Sequence, residues 1–464
     1  MADAAHYRAL LFPLVAGRPW IVAKDVLVAC AREAETLAEL GASGVFCLGG
    51  SRGTGELPDP ARFPQAQLGI AGASIMGSIR AVEAAFAALP PAITARLDAF
   101  DPARRARVVA SMFSAGMPLA GRPVYGARPA AWQALEDKTV CDELWDASGV
   151  RRASSEIVPA TASALRRAAD RLDAGLGTVW AGDNREGFHG GAEFLRWVRN
   201  EAQAAEAADF LAAHGNRARV MPFLDGLPCS IHALVLADAV IAFRPCELVV
   251  FRVPGSTRLE YAGSATFWDP LPTDREEMRR IARAVGRHLR ERVGYRGVCT
   301  VDGVMTRGGF RPTELNPRFG AALSILAAGL PDLPLYLLHL AAAAGEDLDW
   351  RAEELEELVV ASADLNRRGG GMRVLARRVE ENQSLALVAA GEGWRAAGEG
   401  EEADAELTLG PGPLGGFLRV TLSPGRTPIG SSVAPRVAAA MRFAAARWDL
   451  DIPPLEAAPE VRGG

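Results

Sequence analysis

The chain has 464 residues, of which 49% are hydrophobic, 23% charged and 7% aromatic. That length exceeds one compact domain and that composition belongs to a folded chain, so about two to four lobes are expected. A formal charge of −5 leaves no electrostatic footprint for nucleic acid. The most apolar stretch, 321–344, is broken by Pro331, Asp332 and Pro334, whereas a membrane span needs roughly 20 apolar residues in a row.

The opening Met-Ala-Asp-Ala lacks the basic start and apolar core of a secretion signal, so a cytoplasmic location is expected. The six cysteines include no C-x-x-C and read as small buried residues. Only two lysines occur, Lys24 and Lys138, so any chemistry that needs a lysine has two candidates.

In chain order, 7–15 and 44–48 read as strands with 25–40 a helix between them, a β-α-β order typical of a parallel sheet. The glycine-rich turn 49–55 follows; no regular helix comes after it and its spacing matches no phosphate motif, so a plain loop is the expectation and a ligand loop the alternative. Residues 132–148 read as a helix ended by Gly149. A smaller alternation follows: strand 155–158, helix 161–173 with Thr161 as its cap, strand 177–180, a loop with four glycines, helix 192–213 and strand 217–224. Strands alternate over 228–251, and 273–293 is a helix. Two strands follow, 297–306 and 310–316, then an apolar helical stretch from Gly320. The tail mixes short strands with an Ala-rich helix at 433–448, and the acidic, glycine-rich 391–404 reads as an exposed loop.

The chemistry concentrates in 294–320. Arg307-Gly308-Gly309 signals a hairpin, and a three-residue loop centred on Gly308 sets Asp302 opposite Glu314. Strand alternation then puts Thr300, Asp302, Glu314 and Asn316 on one face, and Val301, Met305 and Leu315 on the other. Facing carboxylates repel and raise one another's pKa, a conflict that a hard cation removes. Oxygen donors without His or Cys select Mg²⁺ or Mn²⁺, and magnesium usually shares its shell with substrate phosphates. Arg318, two residues on, offers a planar fork for a phosphate or acyl-phosphate oxygen.

Asp302, eleven residues, then Glu314-x-Asn316-Pro317-Arg318, all preceded by Gly294-Tyr295-x-Gly297, resembles the magnesium-binding end of the ATP-grasp ligases. Asp137-Lys138, before a helix that ends at Ala147-Ser148-Gly149-Val150, resembles the family's first ATP lysine. The unit 151–224 resembles its lid, and Met221 to Gly226 the hinge strand, with Phe223, Leu224 and Asp225 beside the nucleotide.

The resemblance implies an α/β (α+β) chain with an N-terminal α/β domain at 1–124, an ATP-grasp domain at 125–345 around a central antiparallel sheet, and a C-terminal lobe at 346–464. It implies ATP and Mg²⁺ (or Mn²⁺), metal ligands Asp302, Glu314 and Asn316, and Arg318 as catalytic residue. The family's second lysine, on the lid strand, is missing at 178–181, and Arg185 in the following loop is the candidate replacement. An acid that commonly follows the hinge is also absent; Asp225 is its substitute.

The implied reaction activates a carboxylate as an acyl phosphate and joins it to an amine, releasing ADP and phosphate. The partners are thus small carboxylates and amines, in amino-acid or peptide-like chemistry. Arg244 and Arg258 are the candidates for gripping a substrate carboxylate, with Phe267 and Trp268 as wall or core residues. His189 lies in the lid loop, within reach of a ligand or simply solvated. Two other readings stand: a nucleotide-binding protein of this fold without turnover, favoured by the missing lysine, and a biotin-dependent carboxylase subunit working with a separate carrier. Assembly as a homodimer is left open.

Overall fold

The structure is a computed structural model and describes residues 3–461 except 71, 73, 112–115 and 188. The described residues form four sheets. The first is parallel, with strands in the order Gln65–Gln67, Gly44–Ser51, Pro19–Val26 and Arg107–Val109. Along Pro19–Val26, Trp20 and Val22 enter one core while Ile21 and Ala23 enter another. Burial on both faces is what a parallel sheet covered by helices requires.

Two expectations fail in this region. Residues 7–15 are helical, within Ala4–Val15, because Asp3 accepts the His6 N–H as a cap and Tyr7, Leu11 and Val15 repeat at helical spacing. The first strand is therefore Pro19–Val26. Finally, 25–40 begins as the end of that strand and a 3₁₀ turn, and only Ala31–Glu39 is α-helix.

The second sheet is antiparallel, in the order Glu156–Pro159, Arg217–Pro222, Thr178–Gly182, Leu195–Val198. Helices Ala162–Leu172 and Glu201–His214 supply Leu165, Ala207 and Leu211 to its core. Residues 192–213 thus hold a strand and then a helix, the break made by Asn200, whose side chain accepts the Gln203 N–H. Thr161 occupies the cap position of its helix without a side-chain cap bond.

The third sheet runs Leu259–Ala265, Cys246–Arg252, Leu227–Val235, Gly297–Thr306, Gly309–Asn316. Helix Pro272–Val293 covers its back, where Met278, Ile281, Val285 and Leu289 pack against Ile231, Val301, Met305 and Leu315. The alternate residues Ser230, His232, Thr300, Asp302, Glu314 and Asn316 therefore share the front.

The stretch from Gly320 forms two helices, Leu323–Leu326 and Leu335–Ala343. The tail forms a five-stranded antiparallel sheet under helix Ala434–Trp448, and 391–404 contains a strand, Gly393–Ala396. Glu247, buried in the third sheet, accepts from the Ser432 hydroxyl and the Val433 and Ala434 N–H groups, fixing the start of that helix. Among the described residues no helix is long and apolar enough to cross a membrane.

Candidate active site

Asp302 pairs with Glu314 and Thr300 with Asn316, as the spacing predicts, but by a different route. The turn is Arg307-Gly308 alone, since Thr306 pairs with Gly309, and a bulge between Asp302 and Gly303 adds the missing residue back. Side chains change face with every one-residue slip, so without the bulge the carboxylates would not share a face.

Asp302 is half-buried, and burial, then the Glu314 charge, pushes its carboxyl up to about 7. Its Oδ2 accepts from Asn316 Nδ2 at 2.8 Å, while its Oδ1 is buried with no partner. Arg318 donates to Asn316 Oδ1 at 2.9 Å. Lys138 Nζ lies 3.2 Å from Glu314 Oε1. Two acids, an amide and two cations thus meet on one patch. The orphaned Oδ1 and the all-oxygen donor set fit a hard divalent cation, whose charge would let Asp302 ionise.

Lys138 is delivered by a break in the backbone. The expected helix over 132–148 is three pieces, Ala130–Gln133, the 3₁₀ turn Ala134–Glu136 and Cys141–Ala147. Asp137 forms the break: one oxygen accepts from the Thr139 N–H and hydroxyl, and the other from the Asn184 N–H of the lid loop at 3.2 Å.

Glu136 is a positioning residue that the sequence did not single out. Only 4% exposed, it lies 2.5 Å from Arg128 and 3.5 Å from Arg318 Nε, and so helps orient the arginine at the carboxylate patch. Its signal was one more acid before Asp137, which nothing distinguishes from a surface charge.

At the hinge, Phe223 and Asp225 share an aromatic and ionic cluster. The Phe223 ring stacks on Trp197 with centroids 4.2 Å apart, and Arg252 covers both rings and donates to Asp225 at 3.1 Å. Phe223, Leu224 and Asp225 line a cleft of about 420 Å³ with Arg151, Arg152 and the hairpin turn. Gly226 at φ 151° is required here, since a Cβ would lie 2.2 Å from the Met305 carbonyl oxygen.

The lid departs most from expectation. Trp180, at the strand position where a lysine was sought, points into the lid's own core with no exposed surface. Arg185 does not reach toward the carboxylate patch: its guanidinium binds the Ala213 and Gly215 carbonyls, acceptors at the end of helix Glu201–His214. The buried cation between lid and central sheet is Arg219, paired across the lid from Ala181, bonded to Asp142 and donating to the Thr313 carbonyl at 3.1 Å. His189 is folded inward, its Nε2 2.9 Å from the Asp183 carbonyl and its ring 4.1 Å from Phe194, and burial pushes its pKa down to about 4.

Arg244 is a correction. It is 1% exposed, and it donates to Asp364, Asp269 and the Pro245 and Trp268 carbonyls, so it bolts the central sheet to helix Ala352–Leu365 from a buried position. Trp268 and Phe267 are core residues. Arg258 is exposed, on the turn whose Thr257 carbonyl accepts from the lid's Trp197 N–H. Of the expected loop 49–55, residues 49–51 complete the strand Gly44–Ser51; Gly49 and Gly50 admit no Cβ against Leu27 and Val82, and Thr54 donates to the tail sheet's Pro411 carbonyl.

No family model and no curated sequence matches this chain. Solved structures do. An ADP complex of N5-carboxyaminoimidazole ribonucleotide synthetase is 13% identical with a TM-score of 0.50, covering 94% of this chain and 98% of that one. An L-amino acid ligase from Bacillus licheniformis is 13% identical with a TM-score of 0.50, over 88% and 94%. A phosphoribosylamine–glycine ligase from Thermotoga maritima is 14% identical with a TM-score of 0.50, over 88% and 93%. This likeness gives the chain the fold of the ATP-grasp ligases.

Proposed function

We propose that the protein is an ATP-dependent ligase that activates a carboxylate as an acyl phosphate and joins it to an amine, releasing ADP and phosphate. The observation that carries this reading is the convergence of Asp302, Glu314, Asn316, Arg318 and Lys138, with Asp302 held near neutrality until a cation arrives. The two ligases among the similar folds support the reaction class.

Asp302, Glu314 and Asn316 would hold Mg²⁺, which supplies charge neutralisation at the transferring phosphate. Lys138 and Arg318 flank that patch and add fixed positive charge where oxyanions develop. Glu136 and Asn316 hold Arg318 in place, so little reorganisation accompanies transfer. Phe223, Leu224 and Asp225 would border the nucleotide base and ribose. Arg219 takes the place sought for Arg185 as the cation beneath the lid. The lid loop, tied to the Lys138 segment through Asp137 and Asn184, would keep water from the acyl phosphate. The substrates belong to amino-acid or peptide-like chemistry on this reading.

The test is phosphate release from MgATP across a panel of amino acids and small acids, with and without amines, beside an Asp302→Ala, Glu314→Ala double variant. ADP and phosphate formed only with a particular acid and amine, and lost in the double variant, are expected. AMP as product, or ATP binding without turnover across the panel, would overturn the reading.

A further inference from the structure

The lid sheet runs from Glu156 to Pro222, so the chain enters it through 151–155 and leaves it through 223–226. Both crossings border the cleft of about 420 Å³, whose third wall is the tip of the hairpin that carries Asp302 and Glu314. Arg151 and Arg152 line it from the first crossing, Asp225 from the second, and Arg307 and Arg311 from the hairpin. Four guanidinium groups thus share a cleft with one carboxylate, in a chain whose formal charge is −5.

The acids nearby are each held by an arginine. Asp225 accepts from Arg252 at 3.1 Å, Asp146 from Arg152 at 2.8 Å, and Glu277, which lies in the field of Arg311, from Arg280 at 2.7 Å. Arg311 bends over the turn and donates to the Phe310 and Gly308 carbonyls, both at 2.8 Å. Arg151 and Arg307 are exposed at the rim, and the Arg151 guanidinium has no carboxylate within ion-pair distance among the described residues. The lining therefore carries a positive excess. Like charges gathered in one cleft repel, a multivalent anion removes that conflict, and the planar guanidinium fork binds phosphate oxygens in pairs. A cleft lined by one sign of charge also concentrates such an anion.

This cleft stands apart from the carboxylate patch. Five residues separate Asp302 from Arg307, about 16 Å at the rise of a strand. Within the lid sheet, strand Arg217–Pro222 has Glu156–Pro159 on one side and Thr178–Gly182 on the other. The glycine-rich lid loop follows Thr178–Gly182, whereas Arg151 and Arg152 lead into Glu156–Pro159, so the cleft opens on the edge of the hinge away from that loop.

We propose that this hinge cleft binds a small multivalent phosphate anion, with Arg151 and Arg307 as its principal ligands and Arg311 beside them. An anion there touches both crossings and the hairpin tip at once, and so braces the lid against the central sheet. The site needs neither metal nor turnover, so it stands or falls separately from the ligase reading.

The test is titration calorimetry with inorganic pyrophosphate in EDTA at constant ionic strength. Wild type is compared with an Arg151→Gln, Arg307→Gln double variant and with Lys138→Gln, which removes a cation of the carboxylate patch. Wild type is expected to bind, with Kd raised at least about tenfold in the arginine double variant, as befits lost hydrogen bonds between charged groups. Lys138→Gln should stay within twofold of wild type. Each single arginine variant should raise Kd about threefold, and since both side chains are exposed, all three arginine variants should keep the wild-type urea midpoint. Glycerol phosphate titrated in parallel separates the sources: tighter binding than pyrophosphate assigns the site to a phosphorylated metabolite, and weaker binding to an inorganic polyphosphate. Absence of pyrophosphate binding to wild type, or a Kd within twofold of wild type in the arginine double variant, would overturn the site. Loss of binding in Lys138→Gln with binding kept in the arginine double variant would also overturn it, placing the anion on the carboxylate patch.

Discussion

Replacing Asp302 with Asn should make the metal-free protein more stable while abolishing its function. In the fold the Asp302 carboxyl is raised from its ordinary 3.8 to about 7 by burial and by Glu314. That displacement corresponds to roughly 4 kcal/mol. The sign follows from linkage. Below pH of about 4 the acid is protonated folded and unfolded, and nothing is lost. As pH rises, the unfolded chain ionises first, so stability falls until the folded group ionises near 7, above which the whole penalty stands. Asn removes the titration, and its carbonyl can still accept the Asn316 N–H that Asp302 accepts at 2.8 Å. Urea unfolding in EDTA at pH 8 should therefore show the variant about 2–4 kcal/mol more stable, with the gap closing toward pH 4. Adding Mg²⁺ should stabilise wild type and leave the variant unchanged. A variant less stable than wild type at pH 8 in EDTA would refute the argument, because Asp302 would then be an ordinary structural acid.

Arg244→Ala should cost about 3 kcal/mol or more through the uncompensated charge left on Asp269 and Asp364; urea unfolding checks this, and substrate KM values should stay within twofold. Gly320→Ala places a Cβ 2.6 Å from Thr300 Oγ1 and 3.1 Å from His232 Nε2, on the front face beside the carboxylate patch. It should cost about 1–3 kcal/mol and reduce phosphate release more than tenfold, whereas full activity would show that the segment after Arg318 shifts freely. Burial holds His232 down to about 3, so the folded protein loses stability as pH falls below the ordinary 6.5 and the unfolded imidazole takes a proton. The stability deficit of His232→Leu should accordingly shrink by about 2 kcal/mol between pH 7 and pH 5; a constant deficit in urea titrations at the two pH values would contradict the burial argument.

The convergence of the carboxylates was legible because it rests on short-range rules. Strand alternation and a glycine turn suffice to bring Asp302, Glu314 and Asn316 to one face, and Arg318 follows two residues later. The exact turn was not legible, since a two-residue loop with a bulge and a three-residue loop without one give the same pairing at the carboxylates. Apolar runs were legible as buried elements and ambiguous in type: 7–15 reads as a strand by composition and is a helix through one cap at Asp3.

What the sequence could not decide is what an arginine faces. With 51 basic residues, nearly all arginine, type and position alone do not separate a ligand-gripping side chain from a bolt. Arg244 closes a buried ion network with residues 25 and 120 positions away, and Arg185 ends a helix that begins sixteen residues later. Arg219 and Glu136 gain their places at the cleft through contacts 94 and 182 residues distant. The local pattern determined which acids share the patch, because strand geometry is set by neighbours in the chain. Tertiary packing decided which further arginines face the cleft and which are bolts, because a long flexible side chain is directed by partners that only the folded chain brings within reach.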